Sequence, residues 1–202
     1  DTFKFLTTLA KHNNREWFND HKQDYEDFVR TPALAFIEEI DQWIKMISPH
    51  FQGVPKKVGG SLMRIYRDVR FSKDKSPYKT NIGIQFRHEV GKDVHAPGFY
   101  FHIEADNVFL GAGIWRPDPV ALKAIREHIH TKPGPYQDAI EHQPFAEKFK
   151  MAGESLTRPP KGFDKEHPLI NEIKRKDFIA IANVEPDFVL ENDLVKRVAS
   201  YY

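Results

Sequence analysis

The chain is predicted to be α+β, with an antiparallel meander packed by N- and C-terminal helices. Three observations predict it. Apolar residues recur at helical spacing before Pro49, alternate at period two from Ser61 to Trp115, and return to helical spacing after Asp118. Gly, Pro, Asp and Asn separate the central runs, which is the punctuation of short strands joined by turns. One further alternation, Phe178 to Val184, adds a strand near the end.

Taken in order, Phe3, Leu6 and Leu9 share a face of a first helix that ends near Lys11 to Asn13. Asn13 is read as the N-cap of a second helix, with Glu16 three residues on in a variant of the capping box and Trp17, His21, Tyr25 and Phe28 as its apolar line. Thr31-Pro32 reads as N-cap and first helical residue of a third, which carries Leu34, Ile37, Ile40, Ile44 and Ile47 and stops before Pro49. The predicted strands are Leu62 to Phe71, Ile82 to Phe86, Phe99 to Glu104 and Val108 to Trp115, and Ala105-Asp106-Asn107 is short enough to close a hairpin. Asp118-Pro119 opens a helix with Leu122, Ile125 and Ile129 on its face, and Tyr136 to Met151 is a further helix interrupted or restarted at Pro144. Pro159 to Asp164 reads as a loop, His167 to Lys176 as a short basic helix, and Leu194 to Tyr202 as a last amphipathic helix. The expectation is one domain over residues 1–202, with a helical quarter (1–50), a sheet-rich centre (60–116) and a mixed, largely helical remainder (117–202).

Composition bounds the function. With 202 residues and 40% hydrophobic content the chain can bury one substantial core. A net charge of +1 excludes bulk polyelectrolyte binding, so any affinity for nucleic acid or membrane has to come from a local patch. The absence of cysteine removes disulfides, thiolate catalysis and cysteine metal sites, and it fits a cytoplasmic location. No apolar run is long enough to span a membrane. Opening on Asp1 in place of Met suggests a trimmed start.

The local patch is the stretch from Arg64 to Thr80. Six cations (Arg64, Arg67, Arg70, Lys73, Lys75, Lys79) stand against two carboxylates (Asp68, Asp74), a local charge of +4. As a strand it places Leu62, Arg64, Tyr66, Asp68 and Arg70 on one face and Met63, Ile65, Arg67, Val69 and Phe71 on the other. Arg67 then interrupts the apolar face and needs a partner, because an unpaired buried charge is too costly. Asp68, on the opposite face, cannot serve without a bend. After Phe71 the Ser-Lys-Asp-Lys-Ser-Pro run is turn chemistry, so the lysines sit on a loop beside the strand end. Arginine forks and lysines at a chain reversal suit a phosphate or carboxylate ligand. In this reading Arg70 anchors the anion and Lys73, Lys75 and Lys79 close over it. Asp68 and Tyr78 are the candidate catalytic residues, orienting the ligand or exchanging protons, and Asp68 is expected to have a lowered pKa beside Arg70. Arg67 joins if the strand bends, and Arg64 if the ligand is extended. Two alternatives share the same residues: a non-catalytic binding module for nucleic acid, since Tyr66 and Tyr78 accompany the cations, and an Arg/Asp network that only supports the fold.

These residues also carry a resemblance. Arg64-x-x-Arg67-Asp68-x-Arg70-Phe71 followed by Lys75-x-Pro77-Tyr78 resembles the signature of a mainly bacterial family, domain of unknown function 2461. Asn13-Asn14-Arg15-Glu16-Trp17-Phe18, Pro97-Gly98-Phe99-Tyr100, Gly111 to Asp118 and Pro159 to Asp164 are similar to it as well. The resemblance implies a single α+β domain, assigns no activity, and leads one to expect members to run somewhat past Tyr202.

Other constellations are weaker. None of the ten histidines forms a His-x-x-x-His pair, and His102 and Glu104, sharing a strand face with Tyr100, lack an obvious third ligand, so no metal site is assigned. Gly111 and Gly113 alternate on one strand face beside Trp115, where missing side chains let a ring, a backbone or a ligand come close. Gly59-Gly60-Ser61 precedes a strand and reads as a turn, not a phosphate loop. Trp17, Trp43 and Trp115 are expected in the core. No cofactor and no reaction is implied.

Overall fold

The structure is a computed structural model that describes residues 1–89 and 95–202. Its N-terminal quarter is helical as expected: α1 (Thr2–Lys11), α2 (Arg15–Asp20), α3 (Lys22–Tyr25), a π-helical turn (Glu26–Arg30) and α4 (Thr31–Ile47). Two of the expected caps differ. Asn14, not Asn13, caps α2, its side chain accepting from Trp17 N at 2.9 Å. Thr31 is not a cap at all, since it is itself helical (φ −62°, ψ −49°) and the chain winds straight from the π turn into α4. Pro32 cannot donate to the preceding turn, and the wider π winding is where a helix tolerates that missing N–H. Along α4, Ala33, Ile37, Ile40 and Ile44 form a buried stripe.

That stripe faces a six-stranded antiparallel sheet: β1 (Phe51–Gln52), β2 (Ile82–His88), β3 (Gly98–Glu104), β4 (Asn107–Ile114), β5 (Lys150–Ala152) and β6 (Phe178–Val184), in the order β1-β2-β3-β4-β6-β5. The fold is α+β. The meander holds from β1 to β4, and the C-terminal part then completes the sheet, with β6 lying between β4 and β5. Register assigns each side chain to a face. Ile84, Phe101, Leu110 and Ala182 lie across from one another and are buried towards the helices, as are Phe86 and Ala180. The alternate set, including Gly83, Gln85, Tyr100, His102, Phe109, Gly111 and Ile181, occupies the opposite face.

The remaining helices are α5 (Pro119–Thr131), α6 (Pro133–Glu141), α7 (Gln143–Lys148), α8 (Ile170–Ile173) and α9 (Leu194–Tyr201), with a 3₁₀ turn at Pro186–Leu190. Asp118 caps α5 as its position before Pro119 predicts, accepting from Val120 N at 2.8 Å and Ala121 N at 3.0 Å. The helix expected over Tyr136 to Met151 restarts at Pro144 as expected, forming α6 and α7, but its end is the strand β5, because Met151 pairs with Ala180 in the sheet. The basic helix expected over His167 to Lys176 shrinks to the single turn of α8, whose Ile173 packs with Ile129 and Phe178 in a small second core. Among the described residues no helix is long and apolar enough to cross a membrane.

The strand expected from Leu62 to Phe71 does not form. Ser61 to Met63 pairs with the edge of β2, extending the line that β1 starts: Gln85 N donates to Ser61 O and Met63 N to Gly83 O, both at 2.9 Å. The chain then leaves the sheet. Leu62 and Ile65 are both buried although three residues apart, so strict alternation breaks between them. From Arg64 to Arg70 the expected alternation returns, with Arg64, Tyr66, Asp68 and Arg70 exposed, but on a small hairpin of its own in which Arg67 N donates to Pro77 O (2.9 Å) and Lys79 N to Ile65 O (2.7 Å). Phe71, assigned to the apolar face, is 95% exposed at the tip.

Candidate anion-binding site

Asn13 and a ring stack tie the hairpin to the N-terminal helices. Asn13 donates from Nδ2 to Tyr78 O (2.9 Å) and accepts from Tyr78 N at Oδ1 (3.0 Å), so its amide acts as a one-residue strand partner. The buried Tyr78 ring stacks on Phe18 at 4.0 Å. Asn13→Ala removes both bonds to partly buried backbone groups and is expected to cost about 1–3 kcal/mol, measurable as a lowered denaturation midpoint. An unchanged midpoint would mean that the stack alone seats the hairpin.

Three of the six expected cations, Arg67, Arg70 and Lys75, are already engaged. Arg70 grips Asp68 with both arms of its fork, Nε to Oδ1 at 2.9 Å and Nη2 to Oδ2 at 2.6 Å, on an exposed surface. That pairing holds the Asp68 carboxyl down at about 2, as expected from a neighbouring guanidinium. Arg67 turns away from Asp68 and pairs with Asp74. Asp74 also accepts from Ser76 N (2.9 Å) and Ser76 Oγ (2.6 Å), so its carboxyl is driven well below the usual range by Ser76 first and Arg67 second. Lys75 donates to Val69 O at 2.9 Å and closes the loop on itself. Lys73 is exposed on the same loop.

Among the described residues Arg64, Lys73, Lys75 and Lys79 form no ion pair with a carboxylate, and Lys79 differs from the other three in its burial. Lys79 is half-buried, and its ammonium is pushed down by desolvation first and by the Arg64 guanidinium second. It lines a polar cavity of about 380 Å³ together with Asn13, Arg67, Ser76, Thr80 and Asn81, and the Asp74 carboxylate that pairs with Arg67 stands on the same wall. A second hollow of about 350 Å³ shares Tyr78 and Arg67 with it and is of mixed character, lined also by Arg15, Asn19, Tyr66, Val69 and Pro77. The structure therefore brings Arg67, Lys79 and Tyr78 to one cavity, with Arg64 close enough to act on Lys79, and leaves Arg70, Lys73 and Lys75 on the loop outside it. Asn13, Thr80 and Asn81 were not among the expected site residues. Neutral side chains carry no charge signal that would mark them, and Asn13 lies far from the others in sequence, although Thr80 and Asn81 directly follow Lys79.

A family model described as "Conserved hypothetical protein (DUF2461)" matches residues 1–202. The chain belongs to this family. Comparison with curated proteins and with solved structures found no match. Among the described residues of this DUF2461 chain, no group of three His, Cys, Asp or Glu side chains could hold a metal ion. Trp17 and Trp43 pack against the main core as expected. Trp115 does not: it is 43% exposed, with Arg116 over its ring at 4.8 Å.

Proposed function

We propose that the protein binds a small oxyanion, phosphate- or carboxylate-bearing, in the polar cavity at Lys79 and Arg67, with Arg64 adding its charge from outside the lining, and that it does so in the cytoplasm. The observation that carries this reading is the placing of Lys79. Two like charges brought together in partly desolvated surroundings raise the free energy of the empty protein; the Asp74 carboxylate on the cavity wall is taken up by Arg67 and Ser76, and an oxyanion beside Lys79 would relieve the repulsion. Asn13, Ser76, Thr80 and Asn81 supply neutral polar groups around it. The anchor thus moves from the exposed Arg70, paired with Asp68, to Lys79 at the base of the hairpin, with Arg67, itself paired with Asp74, as part of the cavity wall. Asp68, ionised down to about 2, serves as a fixed anion and not as an acid.

Thermal shift tests it, with phosphate and sulfate compared against chloride at matched ionic strength so that general salting-out cancels. A ligand at a hundred times its dissociation constant adds about 2.7 kcal/mol of stability. Lys79→Gln is expected to abolish the phosphate shift and Arg70→Gln to retain it. The reverse pattern would return the site to the loop, and equal shifts in all three proteins would leave no specific site. Binding of short oligonucleotides at low salt, lost steeply as salt rises, would favour a nucleic-acid partner instead.

A further inference from the structure

The cavity on the sheet face opposite the helices, about 360 Å³ with Gly113 and Trp115 in its lining, is largely apolar. Charge collects instead in the two hollows beside the hairpin. Lys79 lines the first. The second, about 350 Å³, shares Arg67 and Tyr78 with it, so the two adjoin along these residues. The oxyanion proposed above occupies only the first.

The second hollow has a cation of its own. Arg15, exposed in the first turn of α2, lines it, and among the described residues no ion pair or hydrogen bond engages its guanidinium. Asn19 stands one turn further along the same helix face and adds an amide. From the hairpin come Tyr66, 53% exposed, and Tyr78, a cross-strand pair with ring centroids 5.5 Å apart. Neither phenol has a hydrogen-bond partner among the described residues. Burial first and Tyr66 second push the Tyr78 phenol up, while the Arg15 guanidinium pulls it back, which places these three groups near one another and leaves Tyr78 a neutral donor.

The described lining of this hollow includes no carboxylate, since Asp74 lines the first hollow only. Arg67 borders both, with its charge taken by Asp74, so the unspent charge of the second hollow is that of Arg15. A guanidinium without an anion and two phenols without an acceptor match an acceptor-rich group that carries negative charge. Val69 and Pro77 complete the lining with apolar surface against which a carbon skeleton can lie.

Given an oxyanion at Lys79, on which this inference rests, we propose that the ligand is a small molecule with two anionic groups, phosphate or carboxylate, one beside Lys79 and the other at Arg15. The skeleton joining them passes along Arg67 and Tyr78. Its two charges stand at opposite ends, because each hollow is larger than a single phosphate.

The test is calorimetry at fixed ionic strength with fructose 6-phosphate and fructose 1,6-bisphosphate, which differ by one phosphoryl group at the far end of the sugar. Wild type is compared with Arg15→Gln and with Lys22→Gln, which removes an exposed cation at the start of α3 that lines neither hollow. Wild type is expected to bind the bisphosphate tighter by on the order of tenfold. Arg15→Gln is expected to lose that advantage while keeping its affinity for fructose 6-phosphate, and Lys22→Gln to retain it. Equal binding of both sugars by wild type, an advantage that survives Arg15→Gln, or one lost equally in Lys22→Gln would each overturn the second anionic position and leave the oxyanion at Lys79 standing. The inorganic phosphate shift of wild type reads that first position by itself, and its absence would overturn both.

Discussion

Gly113→Ala is expected to lower stability by on the order of 3 kcal/mol, one of the two largest effects of a single substitution outside the central core. Gly113 has φ +122°, a backbone geometry L side chains rarely adopt, and a Cβ built there lies 2.1 Å from Phe178 O and 3.0 Å from Ile179 Cα. Both atoms belong to β6, which pairs with β4 through Gly113 and Ile179. The clash therefore cannot be relieved by a side-chain rotation and must open the ladder at the edge of the apolar cavity. Gly134→Ala is the matched control, because nothing lies within 4 Å of its Cβ and it sits in the first turn of α6, where alanine should be neutral or stabilise by about 0.4–1 kcal/mol. Urea denaturation followed by circular dichroism separates the two. Similar midpoints for both variants would mean that β4 and β6 are less tightly paired at this end than their register indicates.

Asp177→Ala should be comparably costly, by about 3 kcal/mol, for a different reason. Asp177 is 3% exposed and accepts from two backbone groups far apart in sequence, Arg116 N at 2.9 Å and Glu154 N at 2.8 Å. It ties the end of β4 to the turn after β5 beside the first residue of β6. Alanine would leave both donors without an acceptor, whereas Asp177→Asn keeps one carbonyl oxygen and should lose roughly half as much. The clip also fixes Arg116, the one non-glycine residue with positive φ among those described, and with it the ring of Trp115 at the cavity mouth. Loss of near-ultraviolet tryptophan signal ahead of global unfolding in Asp177→Ala would accompany the lowered midpoint. An unchanged midpoint would show that water satisfies both donors.

Much of this molecule follows from local sequence. The helix carrying Ile37, Ile40 and Ile44, the strands around Phe86, Phe101, Leu110 and Ala182, the Ala105-Asp106 hairpin and the Asp118 cap are all set by periodicities and short-range hydrogen bonds that neighbouring residues complete among themselves. So is the concentration of charge between Arg64 and Lys79, and the alternation that exposes Arg64, Asp68 and Arg70.

What the tertiary structure alone decided is which of those charges are spent. Period two says that Asp68 and Arg70 share a face, but not that Arg67 reaches Asp74, nor that Lys79 enters a cavity roofed by Asn13 from another part of the chain. The departure of the chain from the sheet after Met63 had no local signal either, since Leu62 and Ile65 are drawn to the same core by partners on β2 and α4. Likewise Tyr100, His102 and Glu104 were legible as one strand face, while their hydrogen-bond partners Asn81 and Thr80 arrive from the bend before β2. Local propensity is settled within a few residues. Charge pairing, proton position and cavity shape are settled by groups that only folding brings within hydrogen-bond reach.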